Sequence, residues 1–183
     1  MANAASVSSV LLIKAAAFAA EKHRHQRRKD LAASPYVNHP IALARVLADE
    51  GGIDDVHVLC AALLHDTIED TDATADELRL EFGDRVAAIV LEVTDDKALG
   101  KDERKARQIE HAADLSPEAK LVKLADKICN LRDILASPPV GWTCERKVAY
   151  FTWAEQVIAG VRGVHPKLEG VFDEILARGS ELC

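Results

Sequence analysis

Aromatic side chains make up only 4% of the 183 residues, and there is a single methionine. A core must therefore be built mainly from Ala, Leu, Val and Ile, and the dominant small and straight side chains suit closely packed helices. No C-x-x-C pair occurs among the four cysteines, Cys60, Cys129, Cys144 and Cys183, so the sequence offers no cysteine-pair motif. A glycine-rich Walker loop is missing, which excludes that way of cradling phosphates. Positive charge is not in excess: the formal net charge is -7, and the surface as a whole does not advertise a nucleic-acid binder. No apolar run is long enough to span a bilayer. The stretch from Val7 to Ala20 is interrupted by Ser and Lys, lacks a basic leader and runs straight into Glu21-Lys22-His23-Arg24. It reads as a buried amphipathic helix, with no membrane partner and no secretion signal. Scattered cysteines without a signal peptide point to a reducing compartment and a cytoplasmic protein.

What is present is a globular composition, 49% apolar and 29% charged, with no linker, repeat or low-complexity segment. One domain over residues 1–183 is expected, all-α, as a compact helical bundle. The first helix is expected from about Val7 to His25. Pro40 suits the first turn of a second helix, with Asn38 and His39 at its entrance and Gly51-Gly52 as its stop. Asp55 to Asp66 reads as a central helix, apolar on more than one face. Thr74 and Glu77 form a capping box for a short helix ending near Gly83. Arg85 to Thr94 and residues 101–112 read as helices, the latter highly charged. Ser116-Pro117-Glu118 opens a helix through Arg132, Thr143 caps another through Ala159, and a last one follows Pro166.

The chemistry concentrates in His65-Asp66-Thr67-Ile68-Glu69-Asp70. His65 and Asp66 follow the apolar run Cys60 to Leu64 directly, where an unpaired carboxylate would be costly to bury and a cation would explain it. His39 and Asp126, from other helices, are suited to complete a mixed nitrogen and oxygen site for manganese, iron, zinc or a related ion. Blander readings stand beside this one. A single histidine is more often a hydrogen-bonded structural residue, Asp126 has Lys123 and Lys127 as neighbours, and Asp66, Glu69, Asp70 and Asp72 would also make an acidic surface run.

The residues RRKD from Arg27, YVNHP from Tyr36, AALLHDTIEDT from Ala61, EVTDDK from Glu92 and KLVKLADKICNLR from Lys120, with the stretch from Trp142 through Trp153, resemble the HD-domain phosphohydrolases. Within them the pattern is most similar to the hydrolase domain of RelA/SpoT-type alarmone enzymes, in their small stand-alone metazoan, Mesh-type form. The resemblance covers nearly the full chain; the His-Asp pair alone is weak, while the extended Glu-Asp run and the ADKxxNL pattern from Ala125 are highly specific. It implies that His39, His65, Asp66 and Asp126 bind one Mn²⁺ and that Glu69 and Asp70 are the catalytic acidic pair. On a helix running on from His65, Glu69 would lie one turn beyond His65 and Asp70 one turn beyond Asp66. The resemblance also implies substrate binding by Arg28, Lys29, Lys101, Asn130, Arg146 and Tyr150. Asn130 follows Asp126 by four residues and Tyr150 follows Arg146 by four, so each pair shares a helix face. Trp142 and Trp153 are expected at the bundle edge.

The activity implied is hydrolysis of the 3′-pyrophosphate of guanosine 3′,5′-bis(diphosphate) and the pentaphosphate, giving GDP or GTP plus pyrophosphate. Two alternatives stay open at this point: action on another phosphorylated nucleotide such as NADPH, and a non-enzymatic nucleotide-binding module. The partner implied is a guanine nucleotide; oligomeric state is not legible.

Overall fold

The most apolar stretch of the chain forms its most buried helix. In the computed structural model, which describes residues 4–183, α3 (Val56–Leu64) starts where the Asp55 carboxylate accepts the His57 amide at 2.9 Å. Every residue from Cys60 to Leu64 is buried. Around it pack α1 (Ala4–Lys22), α2 (Asn38–Arg45), α6 (Asp84–Val93) and α8 (Pro117–Ala136). Helix α5 (Ala75–Phe82) lies on α6, and α9 (Cys144–Val161) and α10 (Pro166–Ala177) close the far side against α8. Helix α7 (Lys101–His111) lies along α9. No β-sheet is present among the described residues; Arg27 and Pro35 make one isolated bridge.

Most helix starts follow their caps. Thr74, Ser116 and Thr143 each accept an amide from the first turn of α5, α8 and α9, the bond that satisfies an otherwise orphaned helix donor. Some expected ends move. Helix α1 stops at Lys22 rather than His25. After α2 the chain widens into a π-turn, Val46–Glu50, where the Gly51 amide reaches back to the Val46 carbonyl. Gly52 then takes a φ of +70°, a left-handed turn that glycine adopts without a Cβ clash.

The largest correction concerns the central helix, which ends at Leu64 rather than Asp66. His65 and Asp66 form a turn, and a separate single-turn helix, α4 (Thr67–Asp70), follows. Asp66 sits at φ -99°, ψ -1°, at the edge of the helical region. The buried Thr67 hydroxyl donates to the Leu64 carbonyl at 2.6 Å and so caps the last turn of α3. Asp70 still follows Asp66 by one helical turn, its amide bonding the Asp66 carbonyl at 2.8 Å as the spacing predicts, while the break after Leu64 sets His65 off from α4; His65, Asp66, Glu69 and Asp70 all line one cavity with residues of α8.

Cysteines distant in sequence also meet. Cys144 and Cys183 form a disulfide, while Cys60 and Cys129 are free and buried. No described helix is long and apolar enough to cross a membrane.

Candidate active site

The bend after α3 faces the first turn of α2 and the middle of α8. His39, His65 and Asp126 offer ligand atoms that all lie within 4.8 Å of one another. His39 Nε2 is 3.2 Å from Asp126 Oδ1, and His65 Nε2 is 4.0 Å from the same oxygen. Asp66 completes the group through His65, its Oδ2 lying 2.9 Å from His65 Nε2. The Tyr36 hydroxyl, which sequence reasoning did not single out, donates to that Asp66 oxygen. Its ring packs between His23 and His39, tilted against the first and edge-on to the second.

The donor set fits a divalent cation. His65 Nδ1 bonds the Ala62 carbonyl at 2.8 Å, which fixes the proton there and leaves Nε2 as the lone-pair nitrogen. That Nε2 is buried and has no hydrogen-bond partner: the nearby carboxylates lie close but off the direction a bond requires. Burial alone would lower the His65 pKa, yet with no cation present the Asp66 carboxylate overrides it and raises it to about 9, so the Nε2 lone pair becomes available when a cation displaces that proton. For Asp66 and Asp126 burial works upward, but His65 beside Asp66 and Lys127 beside Asp126 hold both well below the ordinary carboxylate range. The site is a pair of anions focused on one point, and it calls for positive charge there.

The acidic pair divides by its surroundings. Asp70 is tied at both oxygens, by Gln26 Nε2 at 2.9 Å and by Lys97 Nζ at 2.5 Å. Glu69 accepts one bond, from the Asp95 amide at 3.2 Å, on Oε2. Burial, then the charge of Asp66, pushes the Glu69 carboxyl up to about 7. A carboxyl with an untethered oxygen and a near-neutral pKa is suited to take up and return a proton.

Asp126 is held as a ligand from both sides. Lys127 Nζ donates to its Oδ2 at 2.9 Å and Asn130 Nδ2 to its Oδ1 at 2.6 Å. The Lys127 side chain is only 3% exposed and its ammonium lies 4.4 Å from the centre of the Trp153 ring. The pairing of Asp126 with its neighbour is therefore real, but it belongs to the interior rather than to a solvated face. Trp153 is correspondingly a wall of the site and not an edge residue.

Two connected cavities share this centre. The smaller, about 210 Å³, holds His39, His65, Asp66, Glu69, Asp70 and Asp126. The larger, about 610 Å³, is lined by Arg28, Lys29, Asn130, Asp133, Trp142 and Tyr150 among others, a volume suited to a nucleotide. Tyr36, His39, Asp70, Asn130 and Tyr150 line both. Arg28 is aimed by Asp133, to which it donates, and lies 5.7 Å from the Tyr36 ring centre. Arg146 stacks on Trp142 at 4.4 Å, which places it at the rim. Burial pushes the Tyr150 hydroxyl up to about 12, so it is a donor at neutral pH. Lys101 stands exposed at the first turn of α7, outside both cavities. The residues that sequence reasoning missed are Tyr36, Gln26, Lys97, Asp95, Lys127, Asp133 and Trp153. Tyr36 and Lys97 stood inside the motifs YVNHP and EVTDDK, which was the available signal.

Comparison with known proteins agrees with this arrangement. An HD domain family model matches residues 15–150. The guanosine-3′,5′-bis(diphosphate) 3′-pyrophosphohydrolase MESH1 of Homo sapiens is 58% identical over 158 residues, covering 86% of this chain and 88% of that protein. The Xenopus tropicalis protein of the same name is 55% identical over 170 residues, covering 93% and 95%. A solved structure described as a metazoan ortholog of SpoT that hydrolyzes ppGpp superposes with a TM-score of 0.90 at 50% identity, over 92% of this chain and 94% of that one. A Listeria monocytogenes protein, lmo0812, superposes at 0.65 with 30% identity, over 81% and 97%. With its metal triad, its all-helical frame and relatives of this similarity over nearly their whole length, the chain belongs to the HD-domain family, alongside the MESH1 pyrophosphohydrolases.

Proposed function

We propose that this protein is a metal-dependent hydrolase that removes the 3′-pyrophosphate of guanosine 3′,5′-bis(diphosphate) and the pentaphosphate, releasing GDP or GTP and pyrophosphate. The observation that carries the reading is the orphaned lone pair of buried His65 Nε2, set among carboxylates and opening into a nucleotide-sized cavity with a basic wall. The names of the relatives supply the substrate.

His39, His65, Asp66 and Asp126 would hold the ion, and we assign manganese to it. Imidazole and carboxylate donors without thiolate suit that metal, and the motif set resembles a manganese-dependent family. When bound, the ion would neutralise charge on the scissile phosphate and make water more acidic. The protein's own part is orientation and proton handling. Glu69 takes the proton from the attacking water and returns it to the leaving side. Asp70, anchored by Gln26 and Lys97, fixes the position of that water. Arg28 and Lys29 bind the nucleotide from the large cavity, with Arg146 at its outer rim, and Lys101, outside both cavities, adds positive charge from the first turn of α7. Asn130 and Tyr150, common to both cavities, align the ribose and its 3′ phosphate over the acidic pair.

A panel of phosphorylated nucleotides, assayed with the native metal retained, tests the reading. Pyrophosphate release from the guanosine substrates is expected, lost in D66A and E69A. Unchanged release in both variants would sink the mechanism; preferential release of phosphate from NADPH would replace the substrate; tight nucleotide binding without turnover would make the protein a sensor.

The cytoplasm is the location we assign, because a nucleotide pool is there to be acted on. In that compartment the Cys144–Cys183 disulfide of the structure is expected to be reduced, leaving both as thiols. Trapping cells with an alkylating agent and reading both residues by mass spectrometry should find them alkylated. A disulfide in freshly trapped cells would contradict the assignment.

A further inference from the structure

Among the described residues, one cation beside the metal cavity is in no ion pair, and the charge of Asp102 acts on it only at a distance. Lys105 on α7 is half-buried, with its ammonium 5.6 Å from the Tyr150 ring centre and 4.8 Å from that of Trp153. The Trp153 indole N–H donates to the Lys105 carbonyl at 3.1 Å, which locks ring and lysine to each other. Gln108, three residues further on the same face of α7, lines the metal cavity together with Tyr150 and Trp153. Trp153 and Gln108 do not line the larger cavity. Lys105 itself lines neither cavity; it stands behind Tyr150 and Trp153, at the α7 wall of the metal cavity rather than at the wall formed by Arg28 and Lys29.

The other lysines here are committed. Lys127 is paired with Asp126, Lys97 with Asp70, and Lys123 donates to the Val93 carbonyl. Among the described residues the Lys105 ammonium makes no ion pair and no hydrogen bond, only its two ring contacts. Burial, and then the repulsion of Lys101, lowers its pKa, so this charge is held where it is disfavoured. Contacts with aromatic faces offset only part of such a cost. An anionic ligand would offset the rest.

The hydrolysis proposed above, on which this inference rests, leaves one anion without a receiver. The nucleotide lies toward Arg28 and Lys29 and the scissile phosphorus at the metal donors. The distal phosphate of the 3′-pyrophosphate then points to the opposite wall. We propose that Lys105 binds this distal phosphate and is the residue that selects a pyrophosphate over a single phosphate at the ribose 3′ position.

The test compares K105M, which keeps an apolar stem over the two rings, with K105R, which keeps the charge. Inorganic pyrophosphate and GDP are titrated calorimetrically into the manganese-loaded protein, so the readout does not depend on turnover. K105M should weaken pyrophosphate binding about 10- to 100-fold, the range for losing one charge-assisted hydrogen bond. It should leave GDP affinity and the melting temperature unchanged, and lower kcat/KM on guanosine 3′,5′-bis(diphosphate) by a similar factor. K105R should stay within a few-fold of wild type. Unchanged pyrophosphate affinity in K105M, or equal weakening of pyrophosphate and GDP, overturns the role of Lys105. Wild-type protein that binds pyrophosphate through Lys105 yet releases none from the guanosine substrate would overturn the proposed reaction instead.

Discussion

Replacing Glu69 with glutamine is expected to cost about 10³-fold in kcat, the middle of the range for removing a general acid–base group, and at the same time to stabilise the metal-free protein. The two effects have one cause. Burial first, and then the charges of Asp66, Asp95 and Asp70, pushes the Glu69 carboxyl up to about 7 from an ordinary 4.5. A carboxyl whose folded pKa lies above its unfolded one contributes stability below the unfolded value and loses it as pH rises through the folded value. Metal-free wild type should therefore lose stability from this group between about pH 4.5 and pH 7, on the order of 1–3 kcal/mol after allowance for partial exposure. Glutamine keeps an acceptor for the Asp95 amide without the charge. Thermal melts of chelated protein at pH 5 and pH 8 should show the pH slope reduced in E69Q and its melting temperature raised at pH 8. With a divalent ion bound the carboxylate has a cation to face, and the advantage of E69Q should shrink. An E69Q protein that is less stable than wild type at pH 8 without metal, or that retains full turnover, would contradict this account.

That conflict between stability and chemistry explains which parts of the molecule were legible beforehand. Helix starts were readable because their causes are local: Ser116 before Pro117, Thr143 before Cys144 and Thr74 before Ala75 each place an oxygen where three free amides need one. The residues of the metal centre were readable as chemistry, because His65 and Asp66 directly follow five buried apolar residues. The bend that makes them usable was not. Nothing in the apolar pattern marks Leu64 as the last residue of α3, and the hydroxyl that caps it, Thr67, reads equally well as a mid-helix residue. The supporting residues were hidden for a different reason. Tyr36 and Lys97 reach Asp66 and Asp70 from turns distant in sequence, and sequence spacing does not encode such contacts. Lys127 has the sequence context of a surface lysine, and only the Trp153 face above it makes the interior hospitable to its charge.

Asp126 joins these strands, and its removal should produce the largest combined loss. In D126A the metal loses a ligand, and Lys127 loses the carboxylate that neutralises it in a setting only 3% exposed. Breaking one partner out of a buried pair costs about 3–5 kcal/mol, because the survivor stays buried and uncompensated. Turnover should fall by about 10³-fold or more as the ion is lost, and metal content measured on the purified protein should drop with it. The two losses are separable. Exchanging Lys127 for methionine as well removes the stranded charge and keeps most of the stem against Trp153. The D126A/K127M double variant should regain much of the stability while remaining without metal and without activity. The coupling energy from the four-member cycle, wild type, D126A, K127M and the double variant, reads the strength of the pair directly. Stability effects that simply add would show that Lys127 does not depend on Asp126. Metal retained at full occupancy in D126A would remove Asp126 from the ligand set and leave the ion to His39, His65 and Asp66.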